Sequence, residues 1–408
     1  MTTVVIGAQW GDEGKGKIVD YLAEGAEDIV RFSGGANAGH TIVKHGEKFT
    51  LHLVPSGILY ENTVVVLGIG MVIDIPELFR ELETLESQGV NWKGRVLVSD
   101  RAHVVLPHDR DEDRALDEGR RRPIGTTGRG IGVAYARKAA RDGVRISDLI
   151  YDDTFFELPA EEQNYFAPYR ERLGRMACDL TDRMISHRDR RTLLEGAQGV
   201  MLDLDLGTYP FVSSGMSAAA GAVIGGGVGP GRIDRVLGVF KAYSTRVGNG
   251  PFPSEFFSDR DGDLGERIRE IGHEYGATTG RARRCGYLDL VALRYACNAN
   301  GIDGLVMTHL DVYDTFEEIS VCTGYQINGR RCHTVPANIL ELEKAEPVIE
   351  TLPGWKRAIG EASSYDELPG KAQDYIRFIE SYVETPVDIV SVGSDRGQTI
   401  IRRSPWIR

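Results

Sequence analysis

Little in this sequence suits a membrane, an oxidising compartment or a nucleic-acid surface. No apolar run approaches the ~18 residues that span a bilayer. The opening segment, MTTVVIGAQW, has neither a basic stretch nor a long apolar one, so it does not read as a secretory signal. The five cysteines (Cys178, Cys285, Cys297, Cys322, Cys332) are odd in number and form no C-x-x-C pair, which argues against disulfide staples and against a zinc site. A net charge of -12 leaves no general excess of cations for DNA or RNA, although basic groups can still cluster around a small anion. Linkers rich in Pro or Ser, low-complexity tracts and internal repeats are missing too, so a single domain over residues 1–408 is expected. With 41% hydrophobic and 26% charged residues, the chain has the composition of an ordinary globular protein. The expectation is a cytoplasmic enzyme acting on small molecules.

What the chain does have is glycine in particular places. Residues 4–17 read VVIGAQWGDEGKGK. Val4, Val5 and Ile6 make a short buried strand, and the apolar pattern from Ile18 to Leu22 makes a helix. Gly7, Gly11, Gly14 and Gly16 punctuate the turn between them. Strand, glycine turn and helix N-terminus form a cradle in which backbone N–H groups and the helix dipole face an anion. Lys15 and Lys17 add positive charge. The spacing departs from G-x-x-x-x-G-K-[ST]: Gln9 stands at the first glycine and Gly16 at the hydroxyl position. Asp12 stands within the loop, where a carboxylate opposes anion binding unless it holds a metal or moves a proton.

Short apolar runs recur at 28–32, 63–68, 95–98, 192–195, 235–240, 303–307 and 387–392, as parallel strands covered on both faces require. Helical periodicity lies between them, at 75–88, 285–299 and 367–383. Residues 153–190 read as a polar helical insertion. The alternation implies an α/β sheet built by crossovers. Further glycine loops follow at SGGANAGHT (33–41), IGTTGRGIG (124–132), EGAQG (195–199) and GATTGRARR (276–284). Loops at the carboxyl ends of parallel strands converge on one crevice. Their glycines, hydroxyls and arginines fit two phosphorylated ligands better than one.

Taken together, GDEGKGK, GGANAGHT, IGTTGRGIG, EGAQG, KAYSTRVGNGPFP and GATTGRARR closely resemble the adenylosuccinate synthetase family, in the family's order and over nearly the whole chain. The resemblance implies a P-loop-type, mostly parallel central sheet flanked by helices, with helical and loop insertions, and a homodimer. It also implies ligation of IMP to L-aspartate, with GTP split to GDP and phosphate through 6-phosphoryl-IMP, and one Mg²⁺ per subunit.

Residue by residue, the resemblance gives Asp12 the part of general base at N1 of IMP and, with the Gly39 carbonyl, of metal ligand. His40 resembles the general acid, Lys15 neutralises the transferring phosphoryl, and Gln198 joins these catalytic groups. Glu13, Gly14, Asn37, Ala38, Thr127 and Ser213 complete the substrate contacts. Arg141 is expected to reach IMP on the neighbouring subunit. Ala277, Thr278, Thr279, Gly280, Arg281, Ala282 and Arg283 resemble the aspartate loop. GTP is expected along Gly11, Asp12, Glu13, Gly14, Lys15, Gly16 and Lys17 and along Gly39, His40 and Thr41, with Arg283 nearby. Its base is expected at His309, Leu310, Asp311, Ser391, Val392 and Gly393, where Asp311 reads the guanine N–H groups.

Several positions depart from the family pattern, among them the segment Ser214-Gly215-Met216-Ser217-Ala218, where S-N-T-T is usual. His309 stands where a lysine is usual, Ser394 where a proline is usual, and Ser213 where a threonine is usual. His309 and Ser394 keep open a relative that acts on dGMP with ATP, as some viral members do, against which stands Asp12. A GTP-binding regulatory module is the third reading, and it leaves the acid and histidine beside two phosphate loops without a task. Taken singly, Asp12 also reads as a helix-start acid, Thr127 and Gln198 as local backbone partners, and Asp289 as a helix N-terminal acid.

Overall fold

The computed structural model describes residues 1–44, 47–276, 280 and 282–406. Ten strands form the central sheet: β1 (Thr2–Gly7), β2 (Asp28–Arg31), β3 (Val64–Leu67), β4 (Val96–Ser99), β5 (Ala177–Cys178), β6 (Thr192–Glu195), β7 (Arg235–Lys241), β8 (Gly304–Thr308), β9 (Val387–Ser391) and β10 (Thr399–Ile401). Their order is β10-β9-β8-β7-β1-β6-β2-β3-β4-β5, and among the described residues only β10 runs antiparallel to its neighbour. The expected α/β class holds, and every apolar run named above lies on a strand of this sheet.

Side-chain alternation explains why these strands are apolar throughout. Val4 and Ile6 of β1 pack with Leu194 and Phe240 on one face, while Val5 packs with Leu193, Leu237 and Val239 on the other. Both faces are dry, so both parities of residue must be apolar. Helices α1 (Lys15–Ala23), α2 (Ile75–Ser87), α3 (Asp109–Glu118), α4 (Ile131–Ala140), α5 (Leu290–Asn300) and α6 (Gly370–Val383) lie among the connections. The chain leaves β1 towards β2 on one side, and later places β7 on the other side of β1. The carboxyl ends of β1, β6 and β7 therefore meet where the winding reverses, the usual place for a ligand crevice.

Several boundaries move, each for a local reason. The helix expected over 285–299 begins at Leu290, because the Asp289 carboxylate accepts the Ala292 N–H at 3.0 Å and caps it there. Residues 284–286 and 288–289 are strands instead. The helix expected from 367 starts at Gly370, directly after Pro369. Residues 33–41, read as one loop, end in a strand, His40–Lys44, paired antiparallel with Glu47–Leu51. A small mixed sheet also escapes the apolar pattern: Glu318–Ile327 pairs antiparallel with Arg330–Cys332 and Glu346–Pro353, and parallel with Leu288–Asp289. Its edge strand carries two prolines and half-exposed residues, so neither periodicity shows.

Candidate active site

The glycine turn after β1 is closed by its own carboxylate. Glu13 is fully buried; its Oε1 accepts the N–H of Gly11 at 2.8 Å and of Gln9 at 3.2 Å, and Lys15 Nζ donates to its Oε2 at 2.5 Å. Gly7 and Gly199 leave room for this carboxylate and for the backbone around it: a Cβ on either would stand 2.4–2.5 Å from its oxygens and as close to the carbonyl of Gln198 or of Gln9. The cradle predicted for an external anion thus holds an internal one. Lys15 is the cation shared between Glu13 and the cleft.

Asp12 sits at the apex of the same turn with φ 57, a left-handed conformation that Asp tolerates better than most residues. Its carboxylate accepts from Arg283 Nε at 2.7 Å. Gly14, at φ 85, turns the chain into α1. Further along α1, Lys17 leaves the phosphate loop altogether. Its Nζ donates to Ser391 Oγ and to the Gly393 carbonyl, both at 2.7 Å, and joins the helix to the loop after β9. Burial brings its ammonium down to about 8, against the pull of Asp311 and Asp395.

His40 is fixed by Glu195, the residue shared by the apolar run 192–195 and the EGAQG loop. Its Nδ1 lies 2.9 Å from Glu195 Oε1 and 3.2 Å from Ser56 Oγ. Glu195 ends β6, fully buried, and accepts from both the N–H and the hydroxyl of Ser56. Burial alone would raise its carboxyl; His40, Arg31 and the Ser56 N–H outweigh it and hold it below its ordinary value. With Nδ1 engaged, His40 has Nε2 for the cleft, which the residue lines. From behind, Arg31 donates to the Gly35 carbonyl at 2.9 Å and His52 Nδ1 contacts the Ala38 carbonyl at 2.8 Å, so the 33–40 segment is braced on two sides. Glu195→Gln is expected to lower kcat about 10²-fold with Michaelis constants within a fewfold, because the imidazole is misplaced rather than removed. Unchanged kcat in steady-state assays would deny Glu195 this role.

One cavity of about 1190 Å³ collects these groups. It is larger than an ordinary single-ligand pocket. Its wall contains Gly11, Asp12, Gly14, Lys15, Gly16 and Lys17 from the first turn, and Asn37, Ala38, Gly39, His40 and Thr41 from the second. Thr127, Gln198 and Ser213 come from three further loops, and Arg283, His309, Asp311, Ser391 and Gly393 are also part of the wall. Thr127 is held out into it because Asp117 on α3 accepts the N–H groups of Ile124, Gly125 and Thr126 at 2.9–3.0 Å. Two of the polar atoms here, Gln198 Oε1 and Ser213 Oγ, are buried without a protein partner, which marks where a ligand donor or acceptor belongs. At the far end, burial raises the Asp311 carboxyl and lowers the His309 imidazole to about 3, so His309 is neutral.

Some sequence candidates lie elsewhere. Leu310 and Val392 pack in the core, so only their backbone can meet a ligand. Arg141 caps α4 in a left-handed conformation, exposed and outside the cavity wall of its own chain. Gly280 and Ala282 do not line the cavity, and Ala277, Thr278, Thr279 and Arg281 fall outside the described residues.

Comparison with known proteins identifies the fold and the family. The adenylosuccinate synthetase family model matches residues 4–162 and 156–400. A curated relative of that name from Moorella thermoacetica is 46% identical over 430 residues, covering 99% of each chain. Another, from a Cyanothece species, is 47% identical and covers 98% of this chain and 95% of its own. The fully ligated adenylosuccinate synthetase of Plasmodium falciparum superposes with a TM-score of 0.90 at 38% identity, over 98% of this chain and 99% of that one. The succinoaminodeoxyadenylate synthetase of cyanophage S-2L, bound to dGMP and dATP, reaches 0.66 at 20% identity and shares the fold. The phosphate turn, the braced histidine and the shared crevice thus occur in a chain of matching length and order: it belongs to the adenylosuccinate synthetase family and is a ligase that joins IMP to L-aspartate.

Proposed function

We propose that this cleft performs the ligation in two steps, with GTP as the phosphoryl donor, in a cytoplasmic homodimer. The observation that carries the reading is the shared cavity, whose wall includes Asp12, Lys15, His40, Gln198 and Asp311. In the first step the Asp12 carboxylate takes the proton from N1 of IMP. The electron pair moves to O6, which attacks the γ-phosphorus, and the bond to GDP breaks. Lys15 and His40 face the oxygens on which charge collects, as an in-line transfer requires. In the second step the aspartate amine attacks C6, phosphate leaves with the bonding pair that hydroxide could not readily carry, and the proton shed by the amine nitrogen goes to the departing phosphate.

Gln198 and Ser213 supply the buried partners for the IMP half, with Asn37 and Thr127 beside them. Arg141, exposed on its own subunit, completes the IMP site of the partner. Arg281 and Arg283, in the 277–283 segment, take the aspartate carboxylates. Asp311 accepts the guanine N–H groups, with His309 against the ring and Ser391 and Gly393 along its edge. The Asp12 carboxylate and the Gly39 carbonyl, from two loops that line the same cavity, are hard oxygen donors, a set that fits Mg²⁺. When bound there, the ion supplies charge neutralisation at the phosphates.

A coupled spectrophotometric assay with IMP, aspartate and Mg²⁺ tests the reading. Adenylosuccinate is expected with GTP, at a rate at least about tenfold that with ATP, since a site built on N–H acceptors rejects a base lacking those donors. Turnover of dGMP with ATP in preference would favour the phage-type substrate pair. GTP hydrolysis indifferent to both IMP and aspartate would favour a regulatory module.

A further inference from the structure

Behind the wall of the cleft, buried groups join the end that should hold the nucleotide base to the segment that should hold the amino acid. His309, at φ 57 after β8, places Nδ1 3.3 Å from the Tyr243 hydroxyl. That hydroxyl lies 2.5 Å from Glu274 Oε1, which also takes Lys241 Nζ at 2.6 Å. The other oxygen of Glu274 accepts from Arg283 Nη1 at 2.8 Å, and Arg283 Nε donates to Asp12. Glu274 holds Arg283 by its backbone too: its carbonyl accepts the Arg283 N–H at 2.9 Å, beside a bridge between Tyr275 and Ala282. Tyr243 and Glu274 are both fully buried, and neither lines the cavity.

The protons in this chain can be counted. Burial pushes the Glu274 carboxyl up, and the ammonium of Lys241 and the guanidinium of Arg283, both in contact with it, outweigh that and hold it below its ordinary value, so it is an acceptor only. The single Tyr243 proton therefore goes to Glu274. The hydroxyl oxygen can then only accept from the imidazole, which assigns the His309 proton to Nδ1 and leaves the lone pair on Nε2. Each link has one direction, and none involves substrate.

We propose that Tyr243 and Glu274 are positioning residues that couple the base pocket to the amino-acid segment, so that filling either site tightens binding at the other. A base against His309 fixes the imidazole, which fixes the Tyr243 hydroxyl and through it the carboxylate that anchors Arg283. Linkage makes the effect reciprocal: aspartate must raise affinity for the guanine nucleotide by the factor with which the nucleotide raises affinity for aspartate. The inference rests on the placement of base and amino acid given under the proposed function.

Calorimetric titration of GDP into the enzyme with IMP, with and without saturating L-aspartate, measures that factor. At least about fivefold is expected in the parent, the lower end of ordinary couplings. Tyr243→Phe removes one hydroxyl and keeps the ring, which packs edge-on against Tyr313 with centroids 6.3 Å apart. In that variant GDP binding without aspartate should change less than about twofold, while the coupling factor falls to about one. General damage to the fold would weaken both titrations and leave their ratio alone. Glu274→Gln should also lose the coupling; if it does not fold, Tyr243→Phe decides. A parent factor of one, or a parental factor in folded Tyr243→Phe, overturns the proposal. His309→Asn separates the two layers of argument. If it leaves GDP affinity unchanged, the base-pocket placement falls and the inference with it; if it weakens GDP while Tyr243→Phe keeps full coupling, only the inference falls.

Discussion

Asp12→Asn should lose turnover by about 10⁴-fold or more and melt within a few degrees of the parent protein. The size of the loss follows from the chemistry. Positioned proton transfer is worth on the order of 10²–10⁴, and the same carboxylate is proposed to hold the divalent ion, whose charge stabilisation adds several kcal/mol. The tolerance of the fold follows from the structure. Asp12 is exposed, and its side chain is 38% accessible in its ion pair with Arg283, so the pair contributes no more than ~1 kcal/mol. Arg283 keeps its second partner, Glu274, when Asp12 is neutralised. Asparagine accepts the left-handed backbone at φ 57 at least as well as aspartate, which is why it tests the carboxylate more cleanly than alanine. Product formation from IMP, aspartate and GTP, read beside a melting curve, checks both halves. A folded variant within tenfold of the parent rate would remove Asp12 as the base.

The contrast between what the residue pattern revealed and what it hid has physical causes. The sheet was legible because its strands are dry on both faces, so that VVI, TVVVL or DIVSV cannot be mistaken for solvated loops. The sheet over 318–353 was not, because its outer strand, EPVIETLP, is half wet. The cleft was legible through its glycines and through Asp12, Lys15 and His40. The groups that hold those residues in place were not. Glu195 reads as the polar end of an apolar run, and its meeting with His40 depends on β6 lying beside β2 and β1, far apart in the chain. Glu274 stands two residues ahead of a glycine loop and gives no local sign that Lys241, Tyr243 and Arg283 will converge on it. Nor does composition betray backbone strain: Asp12, Gln198, His309 and Arg141 all adopt left-handed conformations, although none is glycine. Asp12, Gln198 and His309 do so along the cleft, whereas Arg141 and Glu384 do so as helix caps.

The second large effect is expected at His40. His40→Asn should lower kcat by 10²–10⁴-fold, the range for a positioned acid or base, with Michaelis constants for IMP and GTP within about threefold. Asparagine places one polar atom near the position of Nδ1, so Glu195 and Ser56 retain a neighbour; what disappears is Nε2, the nitrogen free to face the phosphoryl. The loss should therefore fall on kcat rather than on binding. A sharper form of the test uses Glu195→Gln in the same background. If Glu195 acts only by orienting the imidazole, then once the imidazole is gone its substitution costs nothing more, and the double variant should be about as slow as His40→Asn alone. Losses that multiply would mean that Glu195 serves the reaction independently of His40, and a near-parental kcat in His40→Asn would take the histidine out of the mechanism.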